Sequence, residues 1–251
     1  MTKPSISNSQ KEFYNNYYDG ESEWRWIGAL AKAENIIKLS GDFPHERILE
    51  IGAGEGAILR RLSELNFGNE YYALEISSSA VRAINNRTFT GLVDCRIFDG
   101  STLPFEDKQF DLVVLSHVVE HLEFPRQLIY EAGRVGSFVF VEVPLEDTIF
   151  LTRNYNNKIG HINFYSSATI RYLLESCHLQ TIKQTICNMS KKSFVFRNGK
   201  IGLINFYIKE LALFAFPLFA TRIWTYHSAI ICRSPDISAN RKGKASDHNR
   251  S

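Results

Sequence analysis

Three glycines at alternate positions, Gly52, Gly54 and Gly56, are the part of the chain in which residue type and spacing point most directly to chemistry. They follow the apolar run 48–51, which predicts a buried strand, and they precede apolar residues at helical spacing from Ala57 onward. Glycine lets a ligand approach the backbone closely, because it has no Cβ. The start of the following helix offers unpaired N–H groups and a partial positive charge.

The glycine turn by itself fits two classes of ligand. The letters GAGEGA match the dinucleotide pattern G-x-G-x-x-G/A, in which a pyrophosphate lies on the helix N-terminus. They also match the G-x-G-x-G turn of enzymes that use S-adenosylmethionine. Glu50 lies two residues before the first glycine, where a carboxylate repels pyrophosphate but suits the ammonium and sulfonium end of S-adenosylmethionine. A glycine-rich turn without any ligand is the structural alternative.

Acidic residues stand at the ends of the next two predicted strands. Glu75 ends the strand 70–76, close to the spacing of roughly 20 residues at which an acidic residue binds both hydroxyls of a ribose. Ser77 follows it and is a suitable cap for the next helix. Asp99 and Gly100 follow the third predicted strand, where the carboxylate could accept a hydrogen bond from an adenine amine or could simply form a turn.

Three histidines, His117, His121 and His161, are candidates for a general base. His117 and His121 follow the fourth predicted strand and are four residues apart, so on a helix they would share one face. The spacing His-x-x-x-His can bind a metal, but it is not H-E-x-x-H and no third ligand is evident, so we predict no metal site. A histidine beside a cofactor could act as a base or could only shape the pocket.

Composition limits the classes of partner and compartment. A chain of 251 residues has room for one α/β domain with additions, and its net charge of +2 gives no electrostatic argument for nucleic acid as a partner. The four cysteines lack metal-type spacing and the N-terminus lacks the apolar core of a signal peptide. We therefore expect reduced thiols and a cytoplasmic location. The most apolar stretch, 201–224, contains Lys209, Glu210 and Pro217, so we expect no integral membrane span.

The order of the predicted elements indicates an α/β fold. Five strands alternate with helices, which favours a parallel sheet covered on both faces, and two later strands, 179–187 and 226–232, lack a helical crossover. This pattern predicts a Rossmann-like, doubly wound, seven-stranded and mostly parallel sheet with an antiparallel hairpin at one edge. We divide the chain into an N-terminal helical lid (1–43), a central domain (44–233) and a disordered tail (234–251).

The predicted lid is rich in aromatic residues over 13–26. In one interpretation Tyr14, Tyr17 or Tyr18 covers a cofactor and Arg25 meets a carboxylate. In the other, this segment is a partly buried helix pair that packs on the sheet. The sequence favours the two interpretations equally.

An apolar insert, 191–225, separates the last two predicted strands, where the fold needs only a short loop. We interpret it as a helical cover over the sheet edge and an acceptor pocket. A dimer contact is one alternative. Peripheral contact with a membrane, giving access to a lipid-like acceptor, is another.

Several segments in this order resemble the class I S-adenosylmethionine-dependent methyltransferases, specifically the UbiE-like small-molecule group (type 11). They are LEIGAGEG, the acidic end of YYALEI, FDGSTLPFEDKQFDLVV, SHVVEHL and GHINFYSSATIRYLLE. The resemblance covers about 46–177 and the final strand. It implies S-adenosyl-L-methionine as cofactor, S-adenosyl-L-homocysteine as product, and methyl transfer to oxygen or nitrogen of a small-molecule acceptor, with secondary metabolism as one setting.

The resemblance also implies roles for individual residues. The methionine part of the cofactor would lie among Glu50, Gly52, Gly54 and Gly56. The ribose, the adenine and the pocket wall would be contacted by Glu75, Ile76, Asp99, Gly100 and Ser116. The group shares no catalytic residues, so the three histidines remain candidates.

Two other functions stay open on the sequence: an NAD-linked oxidoreductase and a non-catalytic binding protein with the same fold. The first would need a second domain or a catalytic Tyr-Lys pair, which we do not identify, and Glu50 suits it poorly. An intact set of cofactor residues argues against the second. We expect a monomer or a homodimer.

Overall fold

The structure is a computed structural model that describes residues 22–100, 102–151 and 160–235. Tyr14 and the other tyrosines of the predicted lid lie outside the described residues, as does 236–251. The α-helices are α1 (Ser22–Ser40), α2 (Ala57–Glu64), α3 (Ser78–Asn86), α4 (Pro125–Val135), α5 (Ser167–Glu175), α6 (Lys191–Ala215) and α7 (Pro217–Ile223). The β-strands are β1 (Arg47–Ile51), β2 (Glu70–Glu75), β3 (Leu92–Ile97), β4 (Phe110–Ser116), β5 (Gly136–Leu145), β6 (Gln180–Cys187) and β7 (Tyr226–Arg233).

The strands form one seven-stranded sheet in the order β3-β2-β1-β4-β5-β7-β6. The first five strands are parallel, and β7 is antiparallel to both of its neighbours, β5 and β6. The predicted doubly wound sheet with an antiparallel edge hairpin is therefore confirmed. Strand order reverses between β1 and β4, and in open α/β sheets ligands bind outside the carboxyl ends of the strands at such a point.

Helices cover both faces of the sheet because successive side chains of a strand point to opposite faces. Ile48 of β1 packs in one apolar cluster with residues of α1, α2 and α3. Leu49, the next residue of the strand, packs in the other cluster with residues of α4 and α5. Local capping agrees with the sequence prediction, since Ser77 caps α3 and its side chain accepts from the N–H of Ala80.

The apolar insert is helical, as predicted, and consists of α6 and α7. Cys187 at the end of β6 is in register with His227 near the start of β7, so the insert replaces what would otherwise be a short turn. Gly199, at φ 56°, interrupts the helical backbone of α6. The Phe196 ring of α6 stacks on Trp24 of α1 at 5.9 Å between ring centroids. Over the described residues, we find no helix with both the length and the apolar character needed to cross a bilayer.

Candidate active site

A cavity of about 1390 Å³ opens at the carboxyl ends of β1, β4 and β5. It exceeds the roughly 300–1,000 Å³ typical of a pocket for one small ligand, so it has room for two molecules. The glycine turn, α1 and the insert all contribute residues to its wall. The predicted site residues that line it are Arg25, Glu50, Gly52, Gly54, Glu75, Ile76, Gly100, Ser116, His117, His121 and His161.

The glycine turn has the left-handed backbone that its sequence predicts. Gly52, Gly54 and Gly56 have φ values of 74°, 54° and 73°. A Cβ on Gly52 would lie 2.6 Å from a methyl carbon of Val118. Gly56 is absent from the cavity wall: it caps α2, and a Cβ there would lie 3.0 Å from Ile84 of α3. Glycine at position 56 therefore allows α2 to pack closely against α3 and does not contact a ligand directly.

Glu50 is a buried carboxyl group at the end of β1, with only 2 % of its surface exposed. Burial raises its pKa to about 8, a shift that Lys32 opposes and Glu75 reinforces. Its Oε2 atom is buried without a hydrogen-bond partner in the described structure. A cation placed beside this group would favour the ionised form, so Glu50 fits the positively charged end of S-adenosylmethionine.

Glu75 ties the end of β2 to the glycine turn. Its Oε1 accepts from the N–H groups of Ile76 and Ser77 at 2.7 and 3.0 Å, and its Oε2 accepts from the N–H of Gly54 at 2.8 Å. A carboxylate has about four acceptor positions, so about one remains for a further donor. Burial raises the pKa of Glu75 against these backbone hydrogen bonds. The sequence did not predict that Glu75 holds the glycine turn against β2. Glu75 has this structural role in addition to any contact with a ribose.

The residue after β3 is placed differently from our expectation. Asp99 is exposed and does not line the cavity, and its Oδ1 accepts from the N–H of Thr102 at 3.4 Å. Its neighbours Phe98 and Gly100 line the cavity instead. The expected contact of Asp99 with an adenine amine is thus not favoured by this arrangement, because the carboxylate turns back onto its own loop. Sequence reasoning missed Phe98.

Arg25 of α1 does meet a carboxylate, but one that belongs to the protein. Its Nη2 lies 2.9 Å from Oε1 of Glu55, the residue between the second and third glycines. Both side chains are largely buried, so this ion pair fastens α1 to the glycine turn. The sequence did not predict the pair, because the two residues are distant in the chain.

No helix spans His117 and His121 in the described structure. His117 has a left-handed backbone (φ 59°), and only the short 3-10 helix Val119–His121 follows it. His117 lies between two buried carboxylates: its Nδ1 is 3.4 Å from Glu120 and its Nε2 is 3.4 Å from Glu142. The two histidines therefore do not share a helical face, and each has its own neighbours.

Glu142, on β5, holds a second histidine as well. Its Oε1 lies 3.3 Å from Nδ1 of His227 on β7, and its Oε2 accepts from Asn35 of α1 at 3.0 Å. Glu142, His227 and Asn35 all line the cavity, and sequence reasoning missed them. A glutamate inside the apolar strand SFVFVEV was the signal for Glu142, because a buried charge requires a partner.

His121 and His161 form a separate pair of imidazoles, with ring centroids 4.7 Å apart. His121 Nδ1 is 3.0 Å from the carbonyl oxygen of Gly160, and His161 Nδ1 is 2.6 Å from Oε2 of Glu146. The N–H of Ile162 donates to the carbonyl oxygen of Glu120 at 3.0 Å, which holds the segment of His161 against the 3-10 helix. The structure thus brings the three candidate histidines to one cavity in two groups.

Comparison with known proteins bears on the choice between the two cofactor classes. A methyltransferase domain family matches residues 49–137, which hold the glycine turn, Glu75 and two of the histidines. Together with the relatives below, this match supports a class I S-adenosylmethionine-dependent methyltransferase of the type 11 group. The family therefore favours S-adenosylmethionine over NAD at the glycine turn, and the NAD-linked alternative loses its support.

Two curated relatives and one solved structure agree with the methyltransferase family. The chain is 32% identical over 136 residues to a sarcosine/dimethylglycine N-methyltransferase of Aphanothece halophytica, covering 47% of this chain and 48% of that protein. It is 23% identical to the ubiquinone/menaquinone biosynthesis C-methyltransferase UbiE of Teredinibacter turnerae, covering 62% and 70%. The geranyl diphosphate C-methyltransferase of Streptomyces coelicolor A3(2) has the same fold, with a TM-score of 0.66, 11% identity, and coverage of 92% and 100%.

The charges in this methyltransferase differ between the two ends of the cavity. Burial raises the pKa of both Glu120 and Glu142, but the nearby imidazoles, His117 first among them, outweigh the effect of burial. The pKa of Glu120 is lowered to about 2, and that of Glu142 is lowered well below its usual range. Burial and Lys32 lower the pKa of His117, but the two carboxylates prevail and raise it. Burial lowers the pKa of His121. The histidine end therefore carries ionised glutamates, whereas burial favours the neutral form of Glu50.

Proposed function

We propose that this methyltransferase transfers the methyl group of S-adenosylmethionine to oxygen or nitrogen of a small-molecule acceptor. One observation carries the proposal: the cavity extends from the glycine turn and Glu50 to His117 and His161, and its volume of about 1390 Å³ has room for both molecules. The likeness to a sarcosine/dimethylglycine N-methyltransferase supports a small acceptor. Because a sulfonium is already an activated methyl donor, the protein's task is to align the acceptor and exclude water.

We place the cofactor at the glycine end of the cavity. Its positive end lies near the unpartnered oxygen of Glu50, and a ribose hydroxyl donates to the remaining acceptor position of Glu75. The adenine lies against Ile76 and Gly100, and Ser116 borders the methyl group. The lining by these residues, and the lack of a Cβ at Gly52 and Gly54, support this placement.

We place the acceptor at the other end, beneath the insert. Phe196 and Lys209 of α6, with Trp224 after α7, line the cavity together with the three candidate histidines. We accordingly assign the insert 191–225 as the acceptor cover of a domain spanning 44–233, and the described part of the N-terminal segment, 22–43, as its lid. The ion pair of Arg25 with Glu55 supports the lid, since it attaches α1 to the cofactor loop.

The function is tested by equilibrium binding and by turnover. We expect calorimetry to show binding of S-adenosylhomocysteine and none of NADH. We also expect a panel of small hydroxyl and amine compounds to contain at least one that yields S-adenosylhomocysteine from S-adenosylmethionine. Preferential binding of NADH would reject the cofactor assignment. Cofactor binding without transfer to any member of the panel would favour the non-catalytic alternative.

The Glu75→Gln variant tests the ribose contact. We expect the affinity for S-adenosylhomocysteine to fall about ten- to a hundredfold, because a charge-assisted hydrogen bond contributes roughly 1.5–3 kcal/mol. Glu70→Gln is the matched control, since Glu70 begins the same strand at its opposite, exposed end. Calorimetry on both folded variants gives the affinities. Equal dissociation constants for the two variants would remove Glu75 from the ribose site.

The His117→Asn variant tests the contact with the acceptor. We expect kcat to fall about 10²-fold with little change in cofactor affinity, because misplacing a reactant by about 1 Å can cost this much. Asparagine keeps the left-handed backbone accessible. The matched control is His178→Asn, since His178 also has a positive φ (66°) but is exposed and outside the cavity wall. Equal kcat values for both variants would exclude His117 from the acceptor site.

A further inference from the structure

We propose that Glu120, His121 and His161 bind one divalent metal ion at the acceptor end of the cavity. One ligand atom from each of these residues lies within 4.8 Å of the others. A third ligand is not evident in the sequence, but folding brings a carboxylate and a second histidine to His121. The proposal does not depend on the identity of the acceptor.

The carboxylate of Glu120 is the first reason to place a cation here. Glu120 is fully buried, and neither of its carboxylate oxygens has a hydrogen-bond partner in the described structure. The His117 imidazole is 3.4 Å from Oε1, beyond the distance of a good charge-assisted hydrogen bond. A buried carboxylate without donors is costly unless it is paired or coordinates a metal.

The two imidazoles are oriented as metal ligands usually are. The contact of His121 Nδ1 with the carbonyl oxygen of Gly160 requires the proton on Nδ1, which places the lone pair of the neutral ring on Nε2. His161 Nδ1 likewise donates to the carboxylate of Glu146. Metal-binding histidines almost always donate their other ring N–H to a carboxylate or a backbone carbonyl in this way.

A second group of possible ligands consists of His117, Glu142 and His227. This group is less suitable as a metal site. Both ring nitrogens of His117 face a carboxylate, so the ring is best satisfied as an imidazolium, which cannot bind a metal. The second oxygen of Glu142 is also occupied by Asn35. This group is therefore an ion-pair cluster that compensates its own charge.

Two imidazoles and one carboxylate suit Zn²⁺ and other first-row divalent ions, and they leave a coordination position for a further ligand. His121 and His161 line the cavity, so that position borders the acceptor space. An acceptor with an oxygen or nitrogen donor could occupy it. The ion would then hold the nucleophile beside the cofactor end of the cavity and polarise it.

The test uses the full chain after removal of metals with a chelator. Calorimetry with Zn²⁺, and with Mn²⁺ as a second probe, is expected to show one tight site. His121→Gln and Glu120→Gln should each weaken binding at least a hundredfold. Glu146→Gln should weaken it about ten- to a hundredfold, as changes in residues that orient metal ligands do. His227→Gln is the matched control and should bind as the unmodified chain does.

Thermal unfolding gives a second readout that needs no substrate. The ion should raise the Tm of the unmodified chain and of His227→Gln, because a ligand of the folded state stabilises it. The ion should not raise the Tm of Glu120→Gln, since that variant lacks the carboxylate ligand. Three results would overturn the site: no stoichiometric binding of either ion, binding unchanged by Glu120→Gln, or binding lost in His227→Gln but kept in His121→Gln.

Discussion

The Gly54→Val variant should lose measurable binding of S-adenosylhomocysteine, which means an affinity at least 10²-fold lower. Gly54 lines the cavity, has φ 54°, and donates its N–H to Glu75. A β-branched residue is a genuine outlier at such a φ, and its branches would occupy the space through which the cofactor approaches the backbone. Calorimetry measures the affinity, and circular dichroism checks that the variant is folded.

Gly199→Val separates the ligand effect from the backbone effect. Gly199 has a similar φ of 56°, and nothing lies within 4 Å of a Cβ built on it, but it belongs to the insert. The strain of a positive φ is therefore present in both variants, whereas only Gly54 adjoins the proposed cofactor. Normal binding by a folded Gly54→Val would place the cofactor elsewhere. Equal losses in both variants would show that backbone strain alone is responsible.

Replacing 191–225 with a short Gly-Ser turn should abolish methyl transfer and leave the affinity for S-adenosylhomocysteine within a few-fold of normal. The ends of β6 and β7 are already in register, so a short turn can close the hairpin. The lost segment contributes Phe196, Lys209 and Trp224 to the cavity wall, in the part that we propose for the acceptor. Turnover of an active panel compound and calorimetry measure the two quantities separately.

The outer surface of the insert provides the control. Phe214 and Leu218 are 88 % and 85 % exposed and do not line the cavity. A Phe214→Ser, Leu218→Ser double variant should keep full turnover of a water-soluble acceptor. A change in its mass by light scattering would favour the dimer contact. Loss of co-sedimentation with liposomes would favour the membrane contact. Full turnover by the shortened chain would reject the insert as an acceptor cover.

The sequence by itself determined the elements around the glycine turn. The strand, the turn and the start of α2 follow from neighbouring residues, because apolar periodicity and a positive φ at glycine are local properties. The same holds for the cap at Ser77, where one hydroxyl accepts from the N–H three residues on. Alternation of strands with helices was also enough to predict the parallel sheet and its antiparallel edge, since connection length limits strand direction.

Local pattern failed where the chain turns back on itself. The spacing of His117 and His121 would place them on one face of a helix, but the backbone of His117 is left-handed and its N–H donates to the carbonyl oxygen of Glu142 at 2.8 Å. Asp99 follows β3 as expected, yet its side chain stays with its own loop. Both outcomes depend on contacts that periodicity does not describe.

Only the tertiary structure decided which charged groups meet. Arg25 and Glu55, and likewise Glu142 and His227, are far apart in sequence and become neighbours through helix packing and strand order. His161 reaches His121 because its segment is bonded to the backbone of Glu120. Strand β7 enters the sheet antiparallel beside β5, and this register places His227 two positions from Ala229, the partner of Glu142. These contacts depend on the order, direction and register of whole strands, which the spacing of residues along the sequence does not describe.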